Sequence, residues 1–386
     1  MRFAPRTADL IHSPIGAAHA LLPERTNERP LLDLSQAAPS FPPAPEVAAR
    51  IAAVAHEPDG ARYAPQPGLP ELREAFAADL STAYAAAIEP DEVLITAGCN
   101  QAFCLVASAL ASPGDSIVLA TPYYFNHDMW LRVEGIEPRH WLPGDDLLPP
   151  VETLASHVDE TTRAVVIVSP GNPTGVTIPP AHIEAIAVET RRLGVPLVVD
   201  ETYRTYRGTD APAHSLFADP DWGEHVISLH SFSKDLAIPG YRIGAIVGSG
   251  PVVVETLKLL DCVAISAPRV AMEAVITGLT ASGAWRQDQV TRIAGLQARF
   301  EQVMADRPGG FELLSAGAYF GWVRHPFPAL ATDEVVRRLV LDHDVLVIPG
   351  TAFTPDDDRM LRFSFANLTD DEIDELPTRL AEMGAA

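Results

Sequence analysis

Residues 161–203 read TTRAVVIVSPGNPTGVTIPPAHIEAIAVETRRLGVPLVVDETY. Two short Val- and Ile-rich runs, AVVIV and PLVVD, flank a segment with helical periodicity, PAHIEAIAVETRRLG. Runs this short and this apolar, bounded by Ser, Pro, Gly and Asp, describe strands buried on both faces. A strand, a helix and a second strand of that kind form a parallel pair joined by a crossover. The stretch therefore predicts an α/β fold with a parallel sheet covered by helices.

The same alternation extends outward from about residue 46 to 275. DEVLITAG (91–98), DSIVLATP (115–122), EHVISLHS (224–231) and YRIGAIVG (241–248) add further strands, and NQAFCLVASALAS (100–112) reads as another helix. After Thr280 the pattern changes. A long amphipathic stretch, AWRQDQVTRIAGLQARFEQVMADR (284–307), precedes two or three short strands among GFELL, YFGWVRH, VLVIPG and RMLRFSFA. Helices are predicted near Thr332–Asp344 and Asp370–Met383. The expected organisation is a large domain over 46–280 and a smaller α+β domain over 281–386. Residues 1–45 contain no complete unit and are expected to form an arm packed on the small domain.

The 386 residues are too many for one small core, which agrees with two domains. With 28 Lys and Arg against 51 Asp and Glu the formal charge is −23, which argues against nucleic acid as a partner but allows a locally positive pocket. Three cysteines, Cys99, Cys104 and Cys262, have no metal-ligand spacing and read as reduced cytoplasmic thiols, so no metal is expected. No apolar run approaches the length of a membrane span. Pro14 and His12 interrupt the apolar stretch Leu10–Leu22, so a cleaved leader is not expected.

In an open parallel sheet, ligands gather beyond the carboxyl ends of the strands. The predicted strands deliver polar groups to that edge: Gly98-Cys99-Asn100, Gly171-Asn172-Pro173-Thr174-Gly175, Asp200 with Tyr203 behind it, and Ser231-Phe232-Ser233-Lys234. Taken singly, each has an ordinary reading. Asn-Pro-Thr-Gly is a ready turn, an Asp at a strand end is commonly a helix cap, and a lysine is usually a surface residue. Their order is what narrows the reading, with 28, 34 and 8 residues separating Asn172, Asp200, Lys234 and Arg242.

In that order the chain resembles the aminotransferase class I/II family, the aspartate-aminotransferase-like branch of fold-type I pyridoxal-phosphate enzymes. The resemblance runs through SPIGAAHALL, DLSQAAPSF, YAPQPGLPELREAFA, ITAGCNQAF, ATPYYFNH, SPGNPTG, VVDETY, SFSKDLAIPGYRIG, VIPGTAF and LRFSFA, nearly the whole chain. It implies pyridoxal 5′-phosphate carried as a Schiff base on Lys234, whose freed amine then serves as general acid and base. Asp200 would face the pyridine nitrogen. Asn172 and Tyr203 would hydrogen-bond the phenolic oxygen, and Tyr124 would stack on the ring. The N–H groups of Cys99 and Asn100 behind Gly98 would hold the phosphate together with Ser231 and Arg242. Tyr63 would reach the phosphate of a neighbouring subunit, implying a homodimer with shared sites. Arg362 would pair with the substrate α-carboxylate.

The implied reaction is ping-pong transfer of an amino group from an L-amino acid to a 2-keto acid. One departure stands out: Ala37 occupies a position near the substrate where the family usually has glycine, which puts the substrate in doubt. No second arginine presents itself for a side-chain carboxylate, since Arg269 reads as structural. Tyr123, Tyr124, Phe320 and Phe353 suggest an aromatic, apolar pocket and hence a neutral or aromatic donor. Three rivals share the fold. A carbon–sulfur lyase or other eliminating enzyme uses nearly the same residues. An aminotransferase-like regulator would need a basic helix-turn-helix that the sequence lacks. An acyl-CoA-dependent condensing enzyme would stack a histidine where Tyr124 stands.

Overall fold

The computed structural model describes residues 1–8 and 10–384. Seven strands build the large sheet: β2 (Val93–Thr96), β3 (Ser116–Ala120), β4 (Glu137–Trp141), β5 (Thr162–Val168), β6 (Leu197–Asp200), β7 (Val226–Ser231) and β8 (Gly244–Val247). They follow β1 (Leu32–Asp33) in the chain. Their spatial order is β2-β8-β7-β6-β5-β3-β4. Every neighbouring pair from β7 to β4 is parallel, as the crossover helices require, whereas β8 runs antiparallel to both β2 and β7. The quoted stretch folds as read: β5, the helix Pro180–Leu193, a left-handed Gly194 that ends it, then β6. Val165, Ile167, Leu197 and Val199 are fully buried, because helices cover both faces of the sheet.

β4 was not predicted. Its sequence, EPRHW, is polar and begins beside a proline, a composition suited to a sheet edge, where one side needs no partner.

A second sheet of four strands, β12 (Ile348–Pro349), β13 (Met360–Ser364), β10 (Phe320–Arg324) and β9 (Glu312–Gly317) in spatial order, is antiparallel. The helix Gly283–Met304 buries Ile293, Leu296, Phe300 and Met304 in the cluster that also contains Phe320, Trp322 and Phe363. The run VLVIPG, which reads as one strand, is divided. Its first half is β11 (Val345–Leu346), which pairs in parallel with β1, and its second half is β12. The segment before β1 is also tied to this region. Asp344, fully buried, accepts from Arg25 and from Arg29 (3.2 Å), and Arg379 donates to the carbonyls of Pro30 (2.7 Å) and Asp344 (2.8 Å).

The two sheets meet at the SPGNPTG loop. Gly175 has φ +72°, and a Cβ there would lie 2.5 Å from the Gly317 nitrogen. Only glycine permits that approach. The Ser315 hydroxyl donates to the Thr174 carbonyl across the same seam (2.8 Å).

Burial alone would raise the Asp344 carboxyl, but the Arg25 and Arg29 guanidiniums hold it below its ordinary value. Its contribution to stability is therefore present above the ordinary carboxylate range near pH ~4 and is lost as pH falls through the folded value. Asp344→Ala should cost about 2–3 kcal/mol in urea denaturation, since both guanidiniums keep some access to water. It should also speed proteolysis before residue 31; an unchanged cleavage pattern would count against this anchoring role.

Candidate active site

The carboxyl ends of β5, β6 and β7 open on one cavity of about 590 Å³, within the range of small-molecule sites. Its walls include Asn172, Asp200, Tyr203, Ser231, Lys234, Arg242 and Arg362, with Cys99, Asn100 and Tyr124 from the adjoining turns and Ala37 from the N-terminal segment. Arg242 precedes its strand rather than following one. It reaches the same edge because β8 is reversed: Gly244 is in register with both Thr96 of β2 and Ser231 of β7.

Lys234 stands on the turn after β7 and donates to the Ala37 carbonyl. Burial, then the Arg242 and Arg362 guanidiniums, lower its pKa from 10.5 to about 7, because a second and third positive charge disfavour an ammonium in a dry site. The sequence contains only one other lysine, Lys258, which lies on the surface against Glu255. Lys234 is therefore the only lysine amine at the cavity.

Asp200, at the end of β6, is nearly fully buried. Burial alone would raise its carboxyl, but His127 (3.3 Å) and the Thr202 N–H (2.9 Å) hold it below the ordinary value, so it stays ionised. His127 was not identified in the sequence. The available signal was its position three residues after Tyr124, one helical turn along the helix Phe125–Glu134. Its ring is held by stacking on Phe103 at 3.9 Å. Cys99 Sγ lies 3.6 Å from Asp200 Oδ1, and burial, then that carboxylate, push the thiol well above its usual pKa. The residue after Asp200, Glu201, is buried with Tyr84, Ser228 (2.5 Å) and His214 (3.5 Å) around it.

Gly98 does not line the cavity but shapes it. It has φ +92°, and a Cβ on it would lie 2.4 Å from Arg242 Nη2. The helix Cys99–Leu110 starts immediately after it, so the first N–H groups of that helix and the Arg242 fork share one corner.

Arg362 lies on β13, fully buried. Nη1 donates to Asn172 Oδ1 (3.0 Å) and Nη2 to the Ser35 carbonyl, while Nε has no partner. Phe320 and Phe353 pack against the guanidinium at 5.1 and 5.0 Å. Burial lowers it to about 10. Neither Arg242 nor Arg362 has a carboxylate partner among the described residues, which leaves two anion-binding forks in one pocket.

Three aromatic residues expected in the pocket wall land elsewhere. Phe320 and Phe353 serve Arg362 instead of lining the cavity, and Tyr123 stacks on His140 at 4.8 Å outside it. The aromatic wall reduces to Tyr124 and Tyr203. Arg269 faces Glu273 at the start of its helix, away from the cavity. Tyr63 is exposed and does not line this chain's own cavity. Ala37 lines the cavity, and its backbone lies outside the left-handed region, so alanine stands there without strain.

The family described as Aminotransferase class I and II matches residues 29–380. The aromatic aminotransferase of Arabidopsis thaliana is 30% identical over 371 residues, covering 94% of this chain and 91% of that protein. The aspartate/prephenate aminotransferase of Thermus thermophilus is 28% identical, covering 76% of each. Among solved structures, an aminotransferase from Mycobacterium tuberculosis superposes with a TM-score of 0.89 at 26% identity over 99% of both chains. Aspartate aminotransferase from Thermus thermophilus, solved with maleate, has a TM-score of 0.89 at 24% identity, covering 99% of this chain and 100% of that one.

Acylation of Lys234 in protein without bound ligands, followed by peptide mass spectrometry, should titrate with a midpoint near the value of about 7. Arg242→Gln should move that midpoint upward, because it removes a repelling charge. A downward or absent shift would contradict the electrostatic account.

Proposed function

The chain belongs to the aminotransferase class I and II family, and on that premise we propose that it moves the amino group of an L-amino acid to a 2-keto acid using pyridoxal 5′-phosphate held on Lys234. The observation that carries the reading is one depressed lysine between two guanidiniums that lack carboxylate partners, with an ionised buried carboxylate opposite. The donor set fits the cofactor group by group. Lys234 supplies the amine a carbonyl requires. Asp200, kept ionised, suits a protonated ring nitrogen. The helix start at Cys99 and Asn100, with Ser231 and Arg242, suits a phosphate, and the Gly98–Arg242 contact leaves no room there for a side chain on residue 98. Tyr124 offers a ring face, and Tyr203 and Asn172 offer hydrogen bonds to a phenolic oxygen.

When bound, the cofactor supplies an electron sink for the charge left on the substrate Cα. The remaining work falls to the chain. Arg362, steered by Asn172 and the Ser35 carbonyl, takes the substrate α-carboxylate and fixes which Cα bond faces Lys234. Lys234 Nζ, unprotonated in part at neutral pH, removes the Cα proton and later returns one. His127 keeps Asp200 charged and oriented throughout. Donor and acceptor would use the same clamp in turn, and ping-pong kinetics follow because the amino group would stay on the enzyme between the two half-reactions.

Among the described residues, the cavity walls contribute no cation beyond Lys234, Arg242 and Arg362. A neutral or aromatic donor suits this better than a dicarboxylic one. The exposed Tyr63 is assigned to the phosphate site of a second copy, making the enzyme a homodimer with shared sites. Residues 1–45 are taken as an arm on a small domain of residues 281–386, with 46–280 as the large domain; the β1–β11 pairing supports the arm.

Mixing the purified enzyme with single amino acids, without keto acid, should bleach the visible absorption and release one equivalent of keto acid. Continuous pyruvate and ammonia would instead mean elimination. Borohydride reduction should fix the cofactor mass on Lys234, and its appearance elsewhere in Lys234→Ala would overturn the assignment. Arg362→Ala should lower kcat/KM roughly 10- to 150-fold, the loss of about 1.5–3 kcal/mol from a charge-assisted contact.

A further inference from the structure

Behind Lys234, outside the cavity, four charged side chains form a chain of ion pairs. Asp235, the residue after Lys234, is buried and accepts from Arg286 Nη2 (2.8 Å). Arg286 Nη1 donates to Asp79 Oδ1 (3.1 Å), and the second oxygen of Asp79 accepts from Arg204. Two arginines and two aspartates balance, and none of the four lines the cavity. Burial alone would raise Asp79, but Arg204 and Arg286 hold it below its ordinary value.

The network joins separate parts of the chain. Asp79 belongs to the helix Pro70–Tyr84, and Arg204 directly follows Tyr203. Arg286 lies in the first turn of the helix Gly283–Met304, whose later residues pack in the cluster containing the sheet that carries Arg362. The Lys234 turn also needs external support. Ala237 within it has φ +53°, a strained conformation for alanine. Outside the turn, the Tyr206 hydroxyl donates to the Lys234 carbonyl (3.0 Å) and itself lies 3.4 Å from the Tyr319 hydroxyl.

We propose that the Asp235–Arg286 pair is a positioning device that fixes the Lys234 turn against the root of the helix Gly283–Met304, and so sets where Lys234 Nζ stands relative to Arg362. This rests on the reading of Lys234 as the reactive amine. A guanidinium fork suits the task because it bonds two carboxylates along fixed directions, which an ammonium does not. Arg286 and Asp235 are positioning residues, acting only through the Lys234 turn.

The test compares Asp235→Asn and Arg286→Lys with the parent enzyme. In the loaded enzyme, the single-turnover rate with an amino acid should fall roughly 10- to 100-fold, as expected for displacement of a reacting group by about 1 Å. The amino acid KM should change by less than about threefold, because Arg362 is untouched. In cofactor-free protein, the acylation midpoint of Lys234 should shift from about 7, because the loosened turn changes both the water and the charges around the amine. Arg286→Lys keeps the charge but loses the fork and should fall between the parent and Asp235→Asn. A lower melting temperature with parental single-turnover rate and parental acylation midpoint would reduce the pair to a structural role and overturn the proposal. Should Asp235→Asn fail to fold, the same two readouts on Arg286→Lys decide. The acylation measurement needs no cofactor, so it judges the positioning claim even if the cofactor proves to sit elsewhere.

Discussion

Three positive groups, Lys234, Arg242 and Arg362, converge on one cavity without a carboxylate among the described residues to pair either arginine. Their mutual repulsion in a water-poor site is the constraint around which the rest is arranged. The lysine relieves it by giving up its proton near neutrality. Arg362 is accommodated by the Ser35 carbonyl, the Asn172 oxygen and two aromatic faces. Arg242 donates to the Pro239 carbonyl (2.8 Å), and Gly98 leaves it the space it occupies. An anionic ligand would offset the remaining repulsion, so this corner of an acidic chain suits small anions.

The parallel core was legible because its strands are continuous apolar runs, and a parallel sheet needs such runs to bury both faces. Asn172, Asp200 and Lys234 were legible as polar residues immediately after those runs. What stayed hidden has physical reasons. β4 carries edge-strand composition, EPRHW, and sends no apolar signal. The direction of β8 is not written in YRIGAIVG, because a four-residue apolar strand reads alike in either sense, so the placement of Arg242 rested on family resemblance. His127 looks like any polar helix residue until Asp200 is seen opposite it. Phe320 and Phe353 were correctly read as apolar, but only the third dimension shows that they flank Arg362 and leave the cavity wall to Tyr124 and Tyr203.

The proposed substrate clamp is assembled from distant parts of the chain. Arg362 comes from β13, Asn172 from the loop after β5, and the Ser35 carbonyl from the segment following β1. β1 is fixed by its pairing with β11 and by the arginines gathered on Asp344. Gly175 then lets the Asn172 loop press against β9. A stability element built from residues 25–33 and 344–346 thus bears on the geometry of the clamp, because the carbonyl that steers Arg362 is only as fixed as the strand before it.

The chain has nearly dispensed with lysine: its outer positive charge is carried almost wholly by arginine, and Lys258 is the one lysine on the surface. With Lys234 occupied by the proposed cofactor, the folded molecule presents a single lysine handle to amine-coupling chemistry. Attachment of a dye or a solid support through lysine would therefore be oriented by the protein itself, at the helix Gly250–Val263.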